Sequence, residues 1–183
     1  DLADKSITEI TAHGLGGLFL AHDIDGIVDI GGQDSKIIEV ENGRLVNFVM
    51  NDKCAAGTGR FLEMACRKLE IPMEAIDDFI DTEDFVTINS MCAVFAESEI
   101  IGHLAASKDR AEILNGVIHS IGSRLISMMG KTSTNKTSKF LMTGGLSQSK
   151  EVVKSIEKSI CCKLTSHRLC PYAGAIGAGS SIK

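Results

Sequence analysis

Three features of this chain predict an α/β fold. Two apolar runs, Ser35 to Val40 and Leu45 to Met50, flank Glu41-Asn42-Gly43-Arg44. Asn-Gly between such runs is the strongest short-range hairpin signal. Helical periodicity fills the middle of the chain, with Leu114, Val117, Ile118, Ile121, Leu125 and Met128 on one face. After it, short extended runs alternate with helical ones, the order that builds parallel strands covered by helices.

In order, residues 6–20 read as a helix. Ser6 and Glu9 form a capping-box pattern, and Ile7, Ile10, Leu15 and Leu18 recur at helical spacing. Gly26 to Ile30 is a short apolar strand carrying Asp29, followed by a Gly31-Gly32 turn. The hairpin follows, then a helix over 58–70, stopped near Ile71-Pro72. Residues 73–80 read as a short acidic helix and 86–88 as an extended piece. Helices are expected at 94–106 and 109–130, and a polar loop at 131–138. Strands at 139–142 and 162–165 alternate with helices at 147–159 and 172–181, the last rich in glycine and alanine.

Composition narrows the function classes. A formal charge of −5 argues against a general nucleic-acid binder. No apolar run reaches the length of a membrane span, and Asp1-Leu2-Ala3-Asp4-Lys5 is not a signal peptide. The missing initiator methionine predicts a piece of a longer protein. Six cysteines, at 54, 66, 92, 161, 162 and 170, form no C-x-x-C pair, so reduced cytoplasmic thiols are expected rather than a disulfide framework. Cys66, Cys161, Cys162 and Cys170 read as small buried hydrophobes.

Cys54 and Cys92 stand apart. Each comes just before a helical stretch, and a helix N-terminus favours the thiolate, the form that binds metal. Two thiols are too few for a closed iron–sulfur cluster, which takes four thiolates. A two-fold dimer would supply the others, which points to a shared metal centre. Zinc would bind four thiolates as well. Two glycine turns each follow a strand, Asp29-Ile30-Gly31-Gly32-Gln33-Asp34 and Met142-Thr143-Gly144-Gly145-Leu146-Ser147. Glycine there lets backbone amides approach a phosphate or nucleotide ring. Neither turn is a Walker loop or a dinucleotide fingerprint.

Four segments taken together carry a resemblance: Asp-Ile-Gly-Gly-Gln-Asp-Ser-Lys (29–36), Asn-Asp-Lys-Cys-Ala-Ala-Gly-Thr-Gly-Arg-Phe (51–61), Cys-Ala-Val-Phe-Ala-Glu-Ser-Glu (92–99) and Met-Thr-Gly-Gly (142–145). From about residue 3 to 179 the chain resembles the 2-hydroxyacyl-CoA dehydratase activators and the related benzoyl-CoA reductase ATPase subunits. The resemblance implies an actin-like ATPase fold of two ribonuclease-H-like lobes, with ATP or ADP and Mg²⁺ in the cleft. It also implies a homodimer sharing one [4Fe-4S] cluster, ligated by Cys54 and Cys92 of each subunit. A reduced ferredoxin or flavodoxin would supply one electron, which ATP hydrolysis drives into the dehydratase.

Within that likeness Asp29 is expected to contact Mg²⁺ through water or to orient the attacking water. Gly31, Gly32 and Gln33 would face the β- and γ-phosphates, Gln33 taking part in catalysis. Gly144, Gly145 and Gln148 would border the adenosine. Lys36 is expected to be a solvated hairpin residue. Asp52 and Lys53 are candidates to orient the Cys54 loop, while Glu97 and Glu99 suit a solvated face or a docking edge. Residues 1–25 are expected to be the final helix of a first lobe, and 26–183 the second lobe with a helical insert at about 54–130. The family's first phosphate loop, Asp-x-Gly-Ser/Thr, is missing here, so the ATP site is expected to be incomplete and the fragment inactive alone. Pro171 stands where family members often carry glutamine. Two other readings compete. A sugar kinase-like ATPase would share the glycine turns without needing the cysteines, and a zinc-stapled dimerisation module would need the cysteines alone.

Overall fold

The computed structural model describes residues 6–80, 84–89, 92–132 and 138–181. Helix α1 (Glu9–Leu20) leads into strand β1 (Gly26–Ile30) and the hairpin β2 (Ser35–Glu41) and β3 (Arg44–Asn51). Helices α2 (Gly59–Leu69), α3 (Ile76–Phe79), α4 (Ala93–Ala105) and α5 (Arg110–Met129) come next. The chain then runs through β4 (Lys139–Thr143), α6 (Lys150–Ile160), β5 (Lys163–Thr165) and α7 (Ala173–Ser180). The five strands form one sheet in the order β3-β2-β1-β4-β5. β2 lies antiparallel to both β1 and β3, while β4 runs parallel to β1 and β5 parallel to β4. Asn42 and Gly43 both take positive φ, 51° and 72°, which the primed hairpin turn requires.

Every residue of β1 is buried, as a central strand covered on both faces must be. On one face Val28, Ile30, Ile37, Phe140 and Met142 form the main core with side chains of α2, α5 and α6. On the other, Ile27, Ile38 and Leu141 pack with Cys170 and with Ile10 and Leu20 from α1. There α1 crosses α7 almost backbone to backbone. A Cβ on Gly16 would lie 1.8 Å from the Ala173 carbonyl oxygen, and one on Gly177 would lie 1.8 Å from that of Ala12. Only glycine fits at either point. Among the described residues no helix is long and apolar enough to cross a membrane.

Several expected boundaries move for local reasons. α1 is capped by Thr8, whose hydroxyl accepts from the Thr11 amide at 3.2 Å, rather than by a Ser6–Glu9 box. The Glu9 carboxylate is instead drawn to the Lys36 ammonium, 2.9 Å away. The helix expected from 147 starts at Lys150. A 3₁₀ turn, Gly145–Gln148, precedes it, and Ser149 caps it by accepting from the Val152 amide at 3.0 Å. Residues 86–88 join no sheet, and the Val86 amide donates to the Glu112 carbonyl of α5. Of the loop expected at 131–138, residues 133–137 lie outside the described residues.

Candidate functional site

Parallel pairing of β1 with β4 sets Asp29 opposite Thr143, so the two glycine turns leave the sheet side by side. They touch: a Cβ on Gly144, whose φ is 86°, would lie 2.1 Å from the Ile30 carbonyl oxygen. The two turns divide their glycines in the same way. The first is crowded by the protein itself, a Cβ on Gly31 falling 2.6 Å from Asp34 Oδ1 and 3.2 Å from the Asp34 carbonyl oxygen. The second faces open space, with nothing within 4 Å of a Cβ placed on Gly32 or Gly145. Gln33 and Gln148 are both exposed, one in each turn. Ligands of open α/β sheets bind at this kind of place, outside the carboxyl ends of adjacent strands.

Asp29 lies beneath the turns and is only 1% exposed. The Thr143 hydroxyl donates to its Oδ1 at 2.7 Å, and the Lys36 ammonium donates to Oδ2 at 3.3 Å. His13 of α1 brings Nδ1 to 3.4 Å from Oδ1. That is a charge contact without hydrogen-bond geometry, and Nδ1 is otherwise unpartnered. Burial pushes the Asp29 carboxyl up, but His13, the Thr143 hydroxyl and Lys36 outweigh it and hold it below the usual carboxylate range. Contact with Asp29 raises His13 against the opposing effect of burial.

Lys36 overturns its expected role as a solvated residue, being 1% exposed. As the register partner of Asp29 it sits in the interior of the sheet, where a lysine is kept only if paired. Its ammonium reaches Glu9 Oε1 at 2.9 Å, Asp34 Oδ1 at 2.9 Å and Asp29 Oδ2 at 3.3 Å. Burial works against its charge, but hydrogen bonds to Asp34 and Glu9 and the nearby Asp29 charge raise it above the ordinary lysine value.

Cys54 lies in a loop that is fastened to the first glycine turn. The amides of Gly59 and Arg60, opening α2, donate to the carbonyls of Gly31 and Gly32 at 2.8 and 3.0 Å. The Ser35 hydroxyl donates to the Gly57 carbonyl at 2.9 Å. Asn51, rather than the exposed Asp52 and Lys53, orients the cysteine, its Nδ2 donating to the carbonyls of Cys54 and Ala56 at 3.0 Å each. Arg124 of α5 points Nη2 at Cys54 Sγ, 3.8 Å away. Cys54 is therefore not at a helix mouth, since Thr58 is the N-cap of α2. Cys92 does hold the N-cap of α4 and is exposed.

Around Cys92 the two glutamates have structural work. Glu97 pairs with Lys68 of α2 at 2.7 Å. Glu99 accepts from the Asn89 amide at 2.9 Å and from its side chain at 3.0 Å, tying Asn89 to α4. Among the described residues no group of three or more His, Cys, Asp or Glu could hold a metal ion. Cys66, Cys162 and Cys170 are buried, and burial pushes the Cys66 thiol up to about 11. Cys161 departs from expectation. It is exposed, at the left-handed C-cap of α6, where backbone conformation rather than packing sets its place. Sequence reasoning also passed over His13, Ser35, Asn51, Arg124 and Thr143. Only Thr143 had a local signal, its place at a strand end against a glycine turn.

A mixed sheet with an antiparallel hairpin, and glycine turns on its two central parallel strands, is that of the actin-like ATPase fold. The chain belongs, more narrowly, to the BadF/BadG/BcrA/BcrD ATPase family, whose model matches residues 1–179. It is 39% identical over 178 residues to the (R)-2-hydroxyglutaryl-CoA dehydratase activating ATPase of Acidaminococcus fermentans, covering 97% of this chain and 68% of that protein. The crystal structure of component A of that dehydratase superposes with a TM-score of 0.89 at 39% identity, covering 96% of this chain and 68% of the other. The activator of the 2-hydroxyisocaproyl-CoA dehydratase from Clostridium difficile, solved with bound ADPNP, gives a TM-score of 0.89 at 35% identity. That match covers 97% of this chain and 66% of the other. The chain thus spans about two thirds of the length of these relatives.

Proposed function

We propose that this chain is part of an ATP-dependent one-electron activator of a 2-hydroxyacyl-CoA dehydratase. ATP and Mg²⁺ bind against the turns at 31–33 and 144–148. Asp29 would orient the attacking water or hold Mg²⁺ through a water, and exposed Gln33 would reach the γ-phosphate side. Gly32 and Gly145, open to solvent, let the nucleotide approach the backbone. Residues 1–25 close a first lobe, and 26–183 form the second, with its cysteine-bearing insert at about 54–130.

The reading is carried by one observation, the continuity between the phosphate turn and the cysteine loop. The turn's carbonyls cap α2, and Ser35 ties β2 to Gly57 three residues after Cys54. A change at the turn therefore pulls directly on the cysteine loop. The Cys92 thiol at a helix N-terminus and the Cys54 thiol facing a guanidinium are half the set a four-thiolate cluster takes, so the donor chemistry fits. A [4Fe-4S] cluster between two copies, held by Cys54 and Cys92 of each, would supply one-electron transfer from reduced ferredoxin or flavodoxin. This chain's residues hold the thiols, seat the nucleotide and link the two places.

The test is iron and acid-labile sulfide in the complete protein purified without oxygen. About two of each per chain is the expected result, and Cys54→Ser should abolish both without unfolding the protein. Zinc at half an equivalent per chain, or no metal, would overturn the cluster. Unchanged iron in Cys54→Ser would remove Cys54 from its ligands.

A further inference from the structure

We propose that Lys36 is a positioning residue for ATP hydrolysis, its buried ammonium fixing the carboxylates of Asp29 and Asp34 beside the Gly31-Gly32 turn. The assignment rests on the ATPase reading above. A lysine used only to fill the sheet would be outdone by an apolar side chain of similar volume, because desolvating an ammonium costs several kcal/mol. Here the ammonium is met by three carboxylates from three elements: Glu9 of α1, Asp29 of β1 and Asp34 of the turn. The Asp34 side chain is 25% exposed, so it reaches inward from the open side of the turn. Three acids face one lysine and one histidine, so the cluster keeps a negative surplus even with His13 charged.

Without Lys36 the Asp29 and Asp34 carboxylates would repel each other across the space it now fills. Asp29 could not then be held aimed. Its other fixed contact, the Thr143 hydroxyl, holds one oxygen and leaves the carboxylate free to turn about it. Lys36 occupies the second oxygen and carries the restraint on to the turn and to α1.

The experiment is steady-state ATP hydrolysis by the complete protein from about pH 3 to about pH 9, a range that reaches down to the lowered Asp29 carboxyl. Lys36→Met should lower kcat about a hundredfold, the scale of a misplaced reacting group, with KM for ATP little changed. Its acid limb should move to higher pH. The groups then facing Asp29 are His13 and Glu9 of α1, Asp34 of the turn and Thr143 of β4, and no lysine remains among them. Lys36→Arg should restore the limb while recovering only part of kcat. Asp34→Asn, at the exposed rim, should move the limb the opposite way, because a like charge is removed and Lys36 is released toward Asp29. Wild-type kcat and limb in folded Lys36→Met overturn the assignment. Should that variant not fold, an unmoved limb in Asp34→Asn does the same. A wild-type protein that does not hydrolyse ATP removes the ATPase reading itself, a result distinct from either.

Discussion

Asp29 shows how a single position gathers its chemistry from remote sequence. Its partners come from α1, β2 and β4, as far away as Thr143. One of them is a histidine. The folded His13 lies above its ordinary 6.5 because of Asp29, so the stability it adds is complete below that value and is lost as pH rises through the raised one. Asp29 has the opposite sign, its contribution being present above 3.8 and lost only as pH falls through its lowered value. The stability difference between wild type and His13→Gln should therefore be larger at about pH 5.5 than at about pH 8.5, as read from urea unfolding. Equal differences at both would show that the pair carries no charge interaction. This residue-level network was the least legible part of the sequence. Lysine beside a hairpin is normally solvated, and only the β1–β2 register places Lys36 against Asp29 in the interior.

At the level of elements the sequence was far more readable. Asn42-Gly43 marked the hairpin, and helical periodicity placed α2, α4 and α5 to within two residues, because burial on one face imposes a repeat. Errors fell where side chains compete for the same backbone group. Thr8 outdid Ser6 as a cap, and the glycine turn, rather than any side chain, caps α2. The five residues from Cys54 to Thr58 carry no periodicity that separates loop from helix, which is why Cys54 read as a helix-mouth residue. The same loop gives an expectation of its own. Ser35→Ala removes the hydroxyl bonded to the buried Gly57 carbonyl, at a cost of roughly 1–3 kcal/mol in urea unfolding. On the proposed reading, in which the turn and the cysteine loop move together, it should also shrink the effect of added ATP on the potential of the proposed cluster in the complete protein. A full ATP response in that variant would route the coupling elsewhere.

For the molecule as a whole, the turns and cysteines that flagged the family were visible because each is a short contiguous run. The links between them were not, because they form only when the sheet brings distant segments together. The sheet's second face depends on the crossing of α1 and α7, where Gly177→Ala would force a methyl onto the Ala12 carbonyl. The expected cost is about 1–3 kcal/mol, measured as a lower urea midpoint with an unchanged slope. An unshifted midpoint would mean that the helices separate freely. That crossing has one more mechanical property. Beside the two glycine contacts the His13 ring of α1 lies in the space left by Gly174 of α7, where a Cβ would fall 2.9 Å from Nε2, so the two helices are keyed to each other by a side chain as well. The crossing thus acts as a gauge: the closeness of α1 to α7 sets the height at which Glu9 and His13 are held over Lys36 and Asp29.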